Sequence, residues 1–242
     1  MRLYRFFNAQ WGLDAIESGM LRVGRLAELN DPFEWRMATE GFDGEENMDP
    51  ALLAELLERQ EEKFLRMIGD NNGVLCFSGN ARESVLWSHY ADHHRGLALE
   101  MAVTDDPDKL IKINYSNDRI CMDYRRWIKE EFAYRAPLLR QMMTTKSSGW
   151  SYEDEYRTYE SLEECEKVSN GNYFTTIPKG SLCRVIIGWR SEIEESYVRR
   201  ILRNSGFLDC KVSKAKSQNR SYHITYDEDD LAASPDLVKF GD

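Results

Sequence analysis

The chain has 242 residues, of which 42 % are hydrophobic, 31 % charged and 12 % aromatic, and its formal net charge is -10. That length holds one large packed domain or two small ones. The negative total excludes a chain-wide basic surface, so any nucleic-acid contact must use a local patch. The first segment, "RLYRFF", alternates and is rich in aromatics, which predicts a strand. "NAQWGLDAIESG" predicts a helix, capped by Asn8 and stopped at Gly19, with "MLRVG" as the next strand. "NDPF", residues 30–33, reads as a helix start in which Asp31 caps and Pro32 takes the first position.

The clearest helix runs from Asp49 to Gly69, with Leu52, Leu53, Leu56, Leu57, Phe64 and Ile68 on its apolar side. Val74 to Phe77 reads as a buried strand ending at Ser78. "ESVLWSHYADHHRG" predicts a short helix or irregular segment, followed by strands at "LALEMAV" and "LIKINYS". "RICMDYRRWIKEEFAYRAPLLRQMMTTK" predicts a second long helix, interrupted before Pro137. "WSYEDEYRTYE" alternates aromatic with charged residues and reads as a strand, and "CRVIIGW" as a buried one. "SEIEESYVRRILRNSG" predicts a helix with Ser191 as cap, Glu194 completing a capping box and Gly206 as stop. Two last strands are expected in "CKVSKA" and "SYHITYD". The simplest fold is one α+β domain over residues 1–227, with a mixed, mainly antiparallel sheet flanked by helices. Residues 228–242 form an acidic tail expected to be flexible.

Five cysteines at wide spacing, with no C-x-x-C, exclude a zinc ribbon or a redox dithiol motif. No apolar run reaches the roughly 20 residues that span a bilayer, and the start of the chain lacks a signal-peptide core. The expectation is a cytoplasmic protein with reduced thiols and no membrane partner.

The sharpest constellation lies between Lys146 and Tyr159. In a strand Glu153, Glu155 and Arg157 share one face, with Tyr152, Tyr156 and Trp150 toward the other. One reading is a half-buried strand with aromatics inward and charges in water. The other is a cleft in which one Glu stabilises a cationic centre or acts as base while Arg157 holds a carboxylate or phosphate. His89 and His93 stand four apart, but Tyr90 occupies the place of an HExxH glutamate, so no metal is assigned. Trp87, His89 and Tyr90 either line a stacking wall, or Trp87 and Tyr90 belong to the core and His89 caps a backbone carbonyl. Arg5 is an anion holder if its strand faces a cleft. Cys76, in mid-strand, reads as core. Gly-x-Gly-x-x-Gly, Walker, Gly-x-Ser-x-Gly and kinase signatures are missing from the sequence.

In order, "LYRF", "NDPFE", "LCFS", "LWSHYADHHRGLALEM" and "WSYEDEYR", then "VIIG" before a helix, resemble the segments of a large bacterial family catalogued as a domain of unknown function. The resemblance covers about Leu3 to Gly188. The order is also similar to the ADP-ribosyltransferase fold. There a first-strand basic residue holds NAD, a Ser-bearing strand and aromatic rings hold the nicotinamide ribose, and a late Glu is catalytic. That resemblance implies NAD as cofactor, contacts from Arg5, Ser78, Trp87, His89, Tyr90 and Arg157, and Glu155 with Glu153 as catalytic residues. Asn30 and Asp31 would contact the substrate, since "NDPF" resembles a segment of DNA-directed members, and so would Lys146 and Trp150. "CFSGN" departs from the Ser-Thr-Ser form of that fold. The implied function is N-glycosidic bond cleavage or transfer, as NAD-dependent ADP-ribosyl transfer to a nucleic acid or protein in a defence or toxin setting. Two alternatives stay open: a nucleic-acid glycosylase or nuclease that uses paired carboxylates without NAD, and a non-catalytic module binding a ligand or protein.

Overall fold

A computed structural model describes residues 1–41, 47–104, 106, 108–129 and 132–226. The acidic segment after Asp227 and the side chain of Phe64 lie outside the described residues. The chain mixes helices with strands whose pairings are mainly antiparallel. It forms two compact units. One comprises Met1–Met20, Phe77–Val103 and the chain from Thr176 onward; the other comprises Leu21–Cys76 and Thr104–Thr175.

In the first unit, Arg2–Phe7 runs antiparallel to Leu97–Ala102 with Arg5 opposite Leu99. Leu97–Ala102 is antiparallel to Leu182–Ile187, and Lys211–Lys214 joins that strand in parallel. Leu97, Ala98, Leu99, Val185, Ile186 and Ile187 are all fully buried, as suits strands covered on both faces. Helices Ala9–Ser18 and Glu195–Asn204 pack against each other, burying Ile16, Val198 and Leu202. The first is set by local chemistry: the Asn8 side chain accepts from the Trp11 N–H at 2.8 Å, and Gly19 ends the helix in the left-handed region (φ 70°). The second begins later than its sequence predicts. Glu194 is its N-cap residue, and the Ser191 hydroxyl instead accepts from the Ile193 N–H in the preceding turn.

In the second unit, Met20–Arg25 pairs antiparallel with Asn72–Ser78, and Glu155–Ser161 pairs with Asn72–Ser78 and with Ile111–Lys112. Leu26, Trp35, Met37, Val74, Met122 and Met142 form the core. Helix Pro50–Gly69 starts where expected, with the Asp49 carboxylate accepting from the Ala51 and Leu52 N–H groups. Its apolar side is only partly used, since Leu52 is 50 % exposed. Three other expectations fail locally. "NDPF" is a turn rather than a helix start. The "RICMD" end of the second long helix is a strand, Cys121–Asp123, parallel to Ala38–Glu40. Pro137 lies inside helix Phe132–Thr144 instead of ending it.

Candidate functional site

The site is built in the second unit by two turns. In the first, the Asp31 carboxylate accepts from the Phe33 N–H at 2.9 Å, and the Glu34 N–H returns to the Asp31 carbonyl at 3.1 Å. This short Asx turn places Asp31, Glu34 and Trp35 inside and leaves Phe33 59 % exposed. Trp35 takes a left-handed backbone (φ 61°), which is strained for a bulky residue and typical of sites whose geometry is fixed by function.

The second turn lies between Lys146 and Arg157. Ser148–Glu153 is a 3-10 helix, Asp154 is left-handed (φ 43°), and the strand begins only at Glu155. Glu153 is therefore not on a strand face with Glu155 and Arg157, contrary to the uniform strand expected over "WSYEDEYRTYE". The burial is also the reverse of the half-buried strand with charges in water. Glu155 and Arg157 point inward, and Tyr156 between them is only half-buried. Opposite charges two apart on one strand can go inside because each neutralises the other.

The five charged side chains that meet there are 1–7 % exposed. Arg157 donates from Nε and Nη2 to the two oxygens of Glu155, at 2.7 and 2.9 Å, and from Nη2 to Glu34 Oε2 at 2.6 Å. Lys146 Nζ donates to Glu153 Oε2 at 2.6 Å and to Glu155 Oε2 at 3.2 Å. It lies 2.9 Å from Glu34 Oε1, but off the direction of a hydrogen bond. Among these five side chains, three carboxylates face two cations in a low-dielectric setting.

Burial alone would raise the Glu155 carboxyl. Arg157 and Lys146 outweigh it and hold the group down at about 2. Burial likewise opposes the charge on Lys146, but Glu155, Glu34 and Glu153 overcome it and keep the ammonium well above its ordinary range. The Tyr115 phenol, whose oxygen accepts from the Glu155 N–H at 2.8 Å, is pushed up to about 12, mainly by burial. At neutral pH Glu155 is a fixed anion with both oxygens engaged, and is not placed to exchange a proton.

A cavity of about 250 Å³ opens beside this group, with Asp31, Phe33, Glu34, Trp35, Arg119 and Lys146 among its walls. Asp31 Oδ2 and Trp35 Nε1 are buried with no hydrogen-bond partner among the described residues, as is Arg157 Nη1. An unsatisfied buried acceptor and donor on one cavity are costly unless something comes to use them. The Arg119 guanidinium lies 5.9 Å from the ring centroid of the exposed Phe33 and donates to the Met37 carbonyl.

Of the residues expected from the sequence, Asp31, Lys146, Glu153, Glu155 and Arg157 belong to this group or its cavity wall. Trp150 is beside it, with Lys146 Nζ 4.9 Å from its ring centroid. Asn30 is exposed on the first turn. Arg5, Ser78, Trp87, His89 and Tyr90 belong to the first unit. Trp87 is fully buried there, donates from Nε1 to the Ala81 carbonyl at 2.8 Å and meets Phe6 edge-on, so it is core rather than an open stacking wall. Ser78 closes a turn, donating to the Asn80 carbonyl and accepting from the Asn80 N–H. Arg5 lies over the Phe7 ring at 5.5 Å. His89 is exposed and meets Tyr90 edge-on. The helix ends at Tyr90, and His93 sits in a left-handed turn (φ 51°), so the four-residue spacing of His89 and His93 does not align them on a helix face. Glu34, Trp35 and Arg119 were not singled out from the sequence. The signal for Glu34 was present as the last letter of "NDPFE".

Among the described residues no helix is long and apolar enough to cross a membrane. Compared with known proteins, the chain matches no family model, no curated protein and no solved structure.

Proposed function

We propose that this protein is an enzyme that cleaves or transfers an N-glycosidic bond, with NAD-dependent ADP-ribosyl transfer as its reaction. The observation that carries this reading is the pair of buried carboxylates, Asp31 and Glu34, on the wall of one cavity, with Asp31 Oδ2 unpartnered. Breaking the bond between ribose and a nicotinamide nitrogen builds positive charge on the sugar as the base leaves neutral. A carboxylate fixed at that point stabilises the charge.

Glu34 is the group for that task, because Arg157 holds one of its oxygens and Lys146 stands by the other. Asp31 Oδ2 takes the proton of the acceptor hydroxyl as its oxygen attacks the anomeric carbon. Glu153 and Glu155 act behind Glu34 as positioning residues, anchoring the two cations. This differs from the direct catalytic role that the resemblance implied for them. The cavity is small beside ligand pockets of roughly 300–1,000 Å³. It suits one end of a dinucleotide, with the phosphates toward Arg36 and Arg119 and a flat ring over Phe33.

The test is nicotinamide release and label transfer from adenylate-labelled NAD, with cell extract or DNA as acceptor. Glu34→Gln is expected to lower turnover about 100-fold or more while leaving NAD affinity within a few-fold. A wild-type protein that neither binds NAD nor releases nicotinamide sinks the NAD reading. Release of free base from nucleic acid without NAD would put the same carboxylates to a glycosylase's use.

A further inference from the structure

The first unit contains a histidine whose ring makes no hydrogen bond among the described residues. His94 follows Asp92 and His93 in a run of three residues with positive φ (45°, 51° and 70°), none of them glycine. Such runs are unfavourable for L-residues and persist only where the surroundings over-determine them. Here the His93 N–H donates to the Ser88 carbonyl, His94 to Trp87, Arg95 to Asp92 and Gly96 to Ala91. The His94 carbonyl accepts from the Arg190 N–H at 3.0 Å. A Cβ at Gly188 would fall 2.3 Å from that carbonyl oxygen, so only glycine allows the approach.

This scaffold fixes the imidazole parallel to buried Trp87 (centroids 6.5 Å apart, interplanar angle 8°) and edge-on to Trp189 at 6.4 Å. Nδ1 is buried without a partner, and neither ring nitrogen makes a hydrogen bond among the described residues. Burial, Arg190 and His93 all lower the pKa of this ring, so it stands neutral, with one donor and one acceptor to offer.

His94 lines a cavity of about 500 Å³ together with Trp189, Asn219, Arg220 and Tyr222. Trp189 is 45 % and Tyr222 96 % exposed, which leaves two large rings in water at one cavity. Exposed rings of this kind stack on planar ligands. Among the described residues the Asn219 amide and the Arg220 guanidinium have no hydrogen-bond partner, and no Asp or Glu lines the cavity. An amide matches the donor–acceptor edge of a base. A guanidinium with no carboxylate beside it among the described residues suits one phosphate group.

We propose that this cavity binds a single nucleotide, its base packed at Trp189 and Tyr222 and contacted by His94 and Asn219, its phosphate at Arg220. The site stands apart from the reading given for the Asp31–Glu34 cavity and does not depend on it.

Calorimetric titration of the full chain with AMP, GMP, CMP and UMP tests it. At least one should bind with one-to-one stoichiometry. Trp189→Leu should weaken it about tenfold or more. His94→Asn, chosen because Asn tolerates a left-handed backbone, should weaken it as well. Arg220→Ala, at an exposed position, should weaken the nucleotide but leave the affinity of the matching nucleoside unchanged. Absence of binding by all four nucleotides in the millimolar range overturns the proposal. So does binding that survives Trp189→Leu and His94→Asn, or binding that is lost in Glu34→Gln but kept in Arg220→Ala.

Discussion

Each unit buries a glutamate between two cations, and the two arrangements differ in their access to water. In the first unit Glu100 is 5 % exposed and is held by Arg2 at 2.7 Å and Arg184 at 3.1 Å. The Arg2 side chain is 62 % exposed, and Arg184 also donates to the Ser213 hydroxyl. In the second unit Glu155 is held by Arg157 and Lys146, whose side chains are 1 % and 2 % exposed. Distances near 3 Å therefore describe two different situations. The field of Glu100 reaches solvent through an arginine whose side chain is mostly exposed. That of Glu155 is met by cations that are themselves buried. A buried cluster of charges is an expensive way to build a core. Hydrophobic side chains of similar volume would serve stability as well, which is why the cluster is read as a device for holding Glu34 at its cavity.

The largest effect that can break this contrast is Arg157→Met. The substitution keeps the volume and leaves Glu34, Glu153 and Glu155 facing Lys146 alone. Removing one partner of a buried ion group costs about 3–5 kcal/mol, because the remaining charges have nowhere to go. Urea unfolding at neutral pH measures it. A loss below about 1 kcal/mol would mean that water reaches the group and that it is not sealed.

Acid gives the next largest effect. The Glu155 carboxyl lies at about 2 in the folded chain against 4.5 when unconstrained. A depressed carboxyl contributes stability that is complete above about 4.5 and is lost as pH falls through 4.5 toward 2. The full loss is on the order of 3 kcal/mol. Unfolding midpoints followed from pH 6 down to pH 3 should fall, and the slope should flatten in Glu155→Gln. An equal slope in both proteins would assign the acid sensitivity to other carboxylates.

The sequence made the helix ends legible where a cap acts within four residues: Asn8, Gly19, Asp49 and Gly206 all take the conformations or bonds expected of them. It also singled out Glu153, Glu155 and Arg157, but with the wrong geometry. Hydrophobicity alone points the aromatic rings inward, because burial normally follows it. What reversed the face was charge neutralisation by Lys146, in its own short strand, and by Glu34, 123 positions before Arg157. Pairing across such a separation leaves no local period. A hint existed in the Glu155–Arg157 spacing, since opposite charges on one strand face can be buried together. The turn at His94 was equally hidden. Three consecutive left-handed residues without a glycine have no composition signature, and part of what holds them is the close approach of the Gly188 backbone, far along the chain.

The smallest effect sharpens the contrast from the other side. Arg2→Ala removes the shorter of the two Glu100 contacts. If distance set the energy, this change would rival Arg157→Met. Arg2 is mostly in water, however, and its side chain gives up freedom to hold the contact. Salt screens what is gained, and Arg184 remains to neutralise Glu100. The expected cost is about 0–1 kcal/mol and should shrink further at high ionic strength, measured by the same urea unfolding. A cost of about 3 kcal/mol, unmoved by salt, would show that Glu100 is as sealed as Glu155. Burial of the cations would then no longer be what separates the two groups.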